Sequence, residues 1–405
     1  MLSALRYGYI TGPVLGALWM VILAVTVGVA MSFATGAAFR PSILMSLLWG
    51  AVLGAAVVYA PRVMAVIGGM IVVLAALTAG GFGPLVIGDG VGAMAGIVAA
   101  LLLAVSFVPS ISKILDECRP GELTRHEFEE AVIRFLTGFG YIFFTAIVLI
   151  PFYVMVMTSL KSQSALLQNP LDFSLELERG WALFRSYSEL FGQFNFGRYL
   201  WTSFYVSLLS VAITLLFSIP GAYAIARLKF RGQAALSRMI LLIYMVPMIV
   251  LALPIYIAFS QMGLRNTLLG IVMIYPVTTI PVALYMLQGY FRGLPAEVEE
   301  AGLMDGLSRI AVIWKITLPL SLPALASVSL YVFMIAWNEF LLAFMLLDDP
   351  SKFTLTRGVA MLNSSEIPRQ HLMAGAVIAT VPIMALFLGL ERFMTRGLTA
   401  GSVKG

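Results

Sequence analysis

Apolar residues run through this chain in long blocks separated by short polar intervals, and the block length predicts the architecture. A bilayer core needs about 20 apolar residues per helix, and at that length the sequence predicts about ten spans. Four lie near 13–36, 42–60, 63–82 and 91–109, and six near 135–158, 200–226, 238–260, 268–288, 321–346 and 373–391. All should be helices, since lipid leaves unpaired backbone groups no other partner. The fold class expected is all-α, a polytopic membrane protein. Prolines in several blocks (Pro151, Pro220, Pro247, Pro254, Pro276, Pro281 and Pro382) predict kinks.

The polar intervals set orientation and domains. A cytoplasmic N-terminus places 16 of the 25 Lys and Arg inside. The short loops decide it, with Arg227, Lys229, Arg231 and Arg238 inside against Arg265 outside. Both termini are then expected in the cytoplasm. Thr124 with Glu127 three residues on reads as a capping box opening a short helix. The expected organisation is a four-span extension over 1–110, a cytoplasmic connector over 111–134 and a six-span core over 135–405. Gly68, Gly69, Gly80, Gly81, Gly92 and Gly96 suggest close packing in an accessory bundle. The expected outer segments 159–199 and 347–372 exceed what a connection needs, which marks them as functional or disordered, and aromatic residues such as Trp181, Phe184, Tyr187 and Phe191 favour order.

Composition narrows the classes. The 405 residues are 60% hydrophobic and 11% charged, against about 25% charged in soluble domains. A net charge of +5, with scattered Lys and Arg, argues against nucleic-acid binding. One cysteine, Cys118, excludes an internal disulfide and a Cys cage. His126 and His371 are expected in solvated loops and leave little for a catalytic metal. No cleavable signal peptide is evident. No G-x-x-x-x-G-K-[ST] segment occurs, so a P-loop for ATP is not expected here.

The most informative interval is 289–320, after the eighth block. Pro295 suits a helix start, and Glu297, Glu299 and Glu300 favour a helix N-terminus through its dipole. Gly306 suits a left-handed stop. A second short amphipathic piece, 310–316, runs to Pro319, expected to break it before the next span. Two short helices along the inner membrane face would form a docking surface.

This interval resembles the signature loop of binding-protein-dependent ABC importer permeases, through Glu300-Ala301-Gly302, Asp305-Gly306 and Ile316-Thr317-Leu318-Pro319. Gly302 replaces the commoner alanine, which loosens that turn by up to about 1 kcal/mol. The tail Gly397 to Gly405, Trp337-Asn338-Glu339-Phe340, Tyr187 to Tyr199 and Arg227 to Gly232 are similar to the second membrane subunit of maltose-type carbohydrate importers. The resemblance covers roughly 135–405 and not 1–134.

The resemblance implies a sugar importer permease in a bacterial or archaeal cytoplasmic (inner) membrane, di- or oligosaccharides favoured. It implies no catalysis and no cofactor on this chain, with ATP and Mg on two partner ATP-binding subunits. A second, different permease and an extracytoplasmic solute-binding protein would complete the assembly. Glu299, Glu300, Ala301, Gly302, Asp305, Gly306 and Pro319 would couple to the ATPase. Gly401, Val403 and Lys404 would touch it, and loop 347–372 would reach the binding protein. Without the motif spacing the glutamates would read as a solvated helix face. Glu339, with Asn338 and Tyr275, is a candidate for the substrate pathway, against the plainer reading of a packing or gating residue. A polyol or glycerol phosphate permease remains open. An ion-coupled secondary transporter would leave the loop unexplained, and an intramembrane enzyme lacks converging groups.

Overall fold

The computed structural model describes residues 6–59, 64–88, 91–169, 172–174 and 177–399, and within them all side chains but those of 64–67, 177, 241, 244 and 391–399. The chain forms two compact units, Met1–Leu183 and Phe184–Gly405.

The first unit contains α1 (Gly8–Thr35), β1 (Phe39–Pro41), α2 (Ile43–Tyr59), α3 (Met64–Ala79), β2 (Leu85–Ile87), α4 (Ala93–Ile114), α5 (Arg125–Leu160) and α6 (Gln163–Gln168). The seam between α1 and α2 is made by Gly12 and Gly16 facing Gly50 and Gly54, where a Cβ on any of them would run into the opposite backbone. Such four-residue spacing of glycines lets helices approach closely. Of the glycines singled out above, Gly68, Gly69, Gly81 and Gly92 have open space around them, while a Cβ on Gly96 would meet Ile87 at 3.2 Å. β1 and β2 pair antiparallel, Phe39 opposite Ile87. Leu103, Phe107 and Ile111 of α4 are fully buried in the core, with Trp19 and Met20 of α1 beside them. Trp19 Nε1 donates to Ser110 Oγ at 2.6 Å, satisfying its polar edge.

The capping box forms as expected. The Glu127 N–H donates to Thr124 Oγ1 at 3.2 Å, and the Thr124 N–H donates to Glu127 Oε2 at 2.8 Å. It opens a helix of 36 residues, not a short one. Nothing between the cap and the apolar block interrupts helical propensity, so the connector's second half and the fifth span are one rod. Arg134 ties it back to Glu117 at 2.8 Å.

The second unit holds α7 (Arg185–Gln193), α8 (Phe196–Arg227), α9 (Gln233–Tyr244), α10 (Met248–Gln261), α11 (Leu268–Gly293), α12 (Ala296–Met304), α13 (Arg309–Val312), α14 (Leu318–Leu320), α15 (Leu322–Asn338), α16 (Leu341–Leu346), α17 (Leu355–Met361) and α18 (Arg369–Thr399). α8 buries Ser203, Ser207, Ser210, Thr214 and Ser218 along one stripe. Their small size brings α11 close enough for Thr214 and Thr279 to share a hydrogen bond of 2.7 Å. Tyr199, Phe196, Tyr275 and Trp337 fill one core cluster, and Tyr223, Leu287, Phe291 and Val332 a second.

Among the described residues six helices are long and apolar enough to cross a membrane, or seven if a pair bent by 82° counts as one span. The expected count of about ten is therefore not confirmed. The blocks near 42–60 and 63–82 form helices of 17 and 16 residues, about 25 Å long at helical rise. The block near 238–260 breaks at Met245–Pro247 because Pro247 starts α10. The block near 321–346 breaks at Glu339–Phe340.

Candidate functional site

The loop between α11 and α15 is built in layers. α12 ends in a Schellman cap: the Gly306 N–H donates to Leu303 O at 3.1 Å and the Leu307 N–H to Gly302 O at 3.1 Å. Gly306 makes this possible with φ of 86°, a conformation that costs an L-residue roughly 1–2 kcal/mol. Ser308 then caps α13, its Oγ accepting from the Ala311 N–H at 3.3 Å.

Pro319 does not end the second piece where expected. The chain widens into a π-turn over Ile313–Thr317, and Pro319 sits inside the three-residue α14. Proline lacks an N–H and its ring crowds the carbonyl four residues back, so a wider turn relieves the clash. The sharp bend follows at Ser321, where Arg309–Leu320 and Leu322–Asn338 meet at 82°.

α12 has two faces. Glu299 and Gly302, three residues apart, point inward and are buried. Glu299 Oε1 lies 3.4 Å from Arg227 Nε and accepts from Thr317 Oγ1 at 3.1 Å, while Oε2 accepts from Tyr223 Oη at 3.3 Å. Arg227 Nη2 also donates to Leu294 O at 2.7 Å, where α12 begins. One carboxylate therefore pins α12 to the end of α8 and to the π-turn. A Cβ on Gly302 would come within 2.5 Å of Ile316 Cδ1, the movable end of a side chain that packs against this face.

Glu300, Ala301, Asp305 and Gly306 point outward and are exposed. Around them Met304 is 88% exposed, Ile310 70% and Trp314 69%, an apolar rim on a loop that otherwise carries charge. Glu299, named with them in the expected coupling set, is buried and anchors α12 beneath them. Tyr223 was not singled out from sequence, and Arg227 and Thr317 were named there without their link to Glu299. The spacing of Glu299 and Gly302 on one helical face was the available signal.

The candidate pathway residues separate. The Glu339 carboxylate accepts from the Leu342 N–H at 2.8 Å and the Ala343 N–H at 3.1 Å, capping α16. Tyr275 is buried, its hydroxyl facing Glu339 without completing a hydrogen bond of ordinary geometry. Asn338 is exposed and donates to Met334 O at 2.9 Å, within its own helix. The two hydrogen bonds from Leu342 and Ala343 give the Glu339 carboxylate a capping role at α16. Gly401, Val403 and Lys404 lie outside the described residues.

His371 is not in a solvated loop. It begins α18, is buried, and its Nε2 lies 2.7 Å from Glu189 Oε2 on α7. Leu190 alongside is fully buried, so apolar packing places the pair. Glu189 also accepts from Arg185 at 2.7 Å. The Arg185 hydrogen bond, outweighing burial and joined by His371, holds the Glu189 carboxyl below its usual range. His126 lies exposed in the first turn of α5. Asn266 holds the start of 347–372: its Oδ1 accepts from the Asp348 and Asp349 N–H groups at 3.1 and 3.0 Å.

Residues 218–399 match the family described as the inner membrane component of binding-protein-dependent transport systems. The inner membrane ABC transporter permease protein YcjP of Escherichia coli is 36% identical over 270 residues, covering 66% of this chain and 95% of that protein. The trehalose/maltose transport system permease protein MalG of Thermococcus litoralis is 33% identical over 282 residues, 68% of this chain and 99% of that one. The arabinooligosaccharides transport system permease protein AraQ of Halalkalibacterium halodurans is 30% identical over 284 residues, 68% of this chain and 98% of that one. Among solved structures, a bacterial ABC transporter involved in the import of the acidic polysaccharide alginate superposes with a TM-score of 0.56 at 21% identity, over 66% of this chain and 98% of that chain. That likeness concerns the fold alone.

Proposed function

The chain belongs to the family of inner membrane components of binding-protein-dependent transport systems, and from that premise we propose that it is the permease subunit of an ATP-driven sugar importer whose 289–320 loop receives the ATPase stroke. The observation that carries the coupling role is the division of α12 into an anchored and a presented face. Glu300, Ala301, Asp305 and Gly306, with the exposed Met304 and Trp314, form the surface a partner would seat. Glu299 behind them, tied to Arg227, Tyr223 and Thr317, would pass displacement into α8 and α15.

In this reading two ATP-binding subunits carry ATP and Mg, and this chain performs no catalysis and binds no cofactor. A second, different permease completes the pathway, and an extracytoplasmic binding protein delivers the substrate to the side that carries 347–372. Gly401, Val403 and Lys404 form a further ATPase contact, and both termini lie in the cytoplasm. Names of relatives that carry trehalose, maltose or arabinooligosaccharides favour a di- or oligosaccharide. The 270-residue match has the length of the 135–405 stretch, which supports reading the preceding helices as an addition to the transport core.

The test is co-purification from a host expressing the neighbouring transporter subunits. The wild-type chain should bring down an ATP-hydrolysing subunit, and Gly306→Val, which strains the loop without touching its packed face, should lose it. A wild-type chain that purifies without any such subunit would overturn the reading.

A further inference from the structure

We propose that the slot between α1 and α5 is a binding site for one acyl chain of a membrane phospholipid. The two helices touch at two aromatic bridges and separate between them. At one end Trp19 meets Phe135 edge-on at 5.8 Å, where Gly138 leaves room for the indole. At the other, Phe33 stacks on Tyr153 at 5.7 Å, and Tyr153 Oη donates to Phe33 O at 3.0 Å and Phe173 O at 3.3 Å.

Between the bridges the small residues Ala30, Ala34 and Ala146 recess the walls, leaving a laterally open cavity of about 580 Å³. Its chemistry is apolar: the hydroxyl of Thr26, which lines it, is engaged by Ile22 O at 2.8 Å. Beyond it only the hydroxyls of Tyr141 and Thr145 lie along the free lining, few partners for a sugar or a water chain. Left empty, the walls would forfeit dispersion contacts along their whole length.

Length selects the occupant. The lining of α1 runs from Val25 to Ala34, about 14 Å at helical rise. Half a hydrocarbon core is about 15 Å. The slot therefore matches one leaflet, the leaflet at the β1 end of α1. A transmembrane helix of a partner subunit would run the full thickness and collide with the aromatic bridges. An acyl chain enters sideways, ends within the leaflet, and leaves its headgroup at the interface beside Tyr153.

The experiment uses the full chain in vesicles of phosphatidylethanolamine and phosphatidylglycerol, doped with a phospholipid bearing a diazirine on its acyl chain. After illumination and digestion, labelled peptides are mapped. Label should concentrate on 25–34 and 141–153, several-fold above the exposed α2 face around Leu48 and Val52, and persist when detergent washing precedes illumination. Ala146→Leu, alone or with Ala30→Leu, fills the slot and should lower that label several-fold, while Val29→Ala should retain it. Equal labelling of slot and α2 face, or labelling indifferent to filling in monodisperse variants, would overturn the proposal. So would loss of the wild-type label once the other transporter subunits assemble, since a subunit would then occupy the slot.

Discussion

Glu299 and Glu300 are neighbours in sequence and face opposite ways, so their removal has different consequences. Glu299→Ala strands Arg227, whose side chain is only 14% exposed, and breaking a buried pair costs about 3–5 kcal/mol. Thermal denaturation of the purified chain should register that loss. Glu299→Met combined with Arg227→Met should recover most of it, because no charge is left buried. Glu300→Ala, at an exposed position, should stay within about 0.5 kcal/mol of wild type. Equal losses for Glu299→Ala and Glu300→Ala would mean that the two faces are not distinct. At Gly306 an added Cβ would meet nothing within 4 Å. Its constraint is φ alone, so Gly306→Ala should cost about 1 kcal/mol and Gly306→Asn less, read from the same melts. The glycine's role was legible in sequence because backbone conformation is a local property. The burial of Glu299 was not, because its three partners lie in α8 and the π-turn, far along the chain.

At the scale of elements, helix caps and apolar blocks were legible, and breaks inside blocks were less so. Thr124 and Glu127 announce a helix start locally, but its end at Leu160 depends on packing further along. Met245–Pro247 and Glu339–Phe340 interrupt runs whose hydropathy alone is continuous. The seam of α1 and α2 used Gly12, Gly16, Gly50 and Gly54, while the more conspicuous Gly68-Gly69 pair packs against nothing. Glycine content signals possible closeness and tertiary contact assigns it. The C-terminal end of α5 supplies a testable pairing: Lys161, nearly fully buried, lies 2.8 Å from Asp172. Burial pushes the Asp172 carboxyl up, but hydrogen bonds from Lys161 and Ser174 overcome it and set its pKa to about 2, from 3.8. A depressed carboxylate stabilises above its unfolded value, so the pair contributes fully above pH 3.8 and fades as pH falls through about 2. Asp172→Asn should therefore cost about 2 kcal/mol at neutral pH, seen as faster hydrogen exchange in α6 and 172–174. The difference from wild type should close near pH 2, and a difference that persists there would contradict the pairing.

For the whole molecule, the α12 loop joins sequence to mechanism. A family of membrane subunits that bind no nucleotide needs a surface for the motor and a rigid route from that surface to the spans. In the proposed coupling role the surface would be the exposed face of α12 with Met304 and Trp314. The route would be the carboxylate of Glu299 between Arg227, Tyr223 and Thr317. The family was legible in sequence because Asp305-Gly306 and Ile316 to Pro319 keep their spacing. The sugar was not, because nothing in the fold assigns a substrate contact to Tyr275, Asn338 or Glu339, and Glu339 is engaged in capping α16. The most direct measurement is ATP hydrolysis by the complete transporter in vesicles, with and without the loaded binding protein, for wild type, Glu300→Ala and the Glu299→Met, Arg227→Met pair. The account predicts that wild type is stimulated. Glu300→Ala should lose stimulation by failing to hold the ATPase, and the double variant should assemble normally yet hydrolyse without transport. Stimulation and transport unchanged in both variants would contradict the claim that this loop carries the stroke.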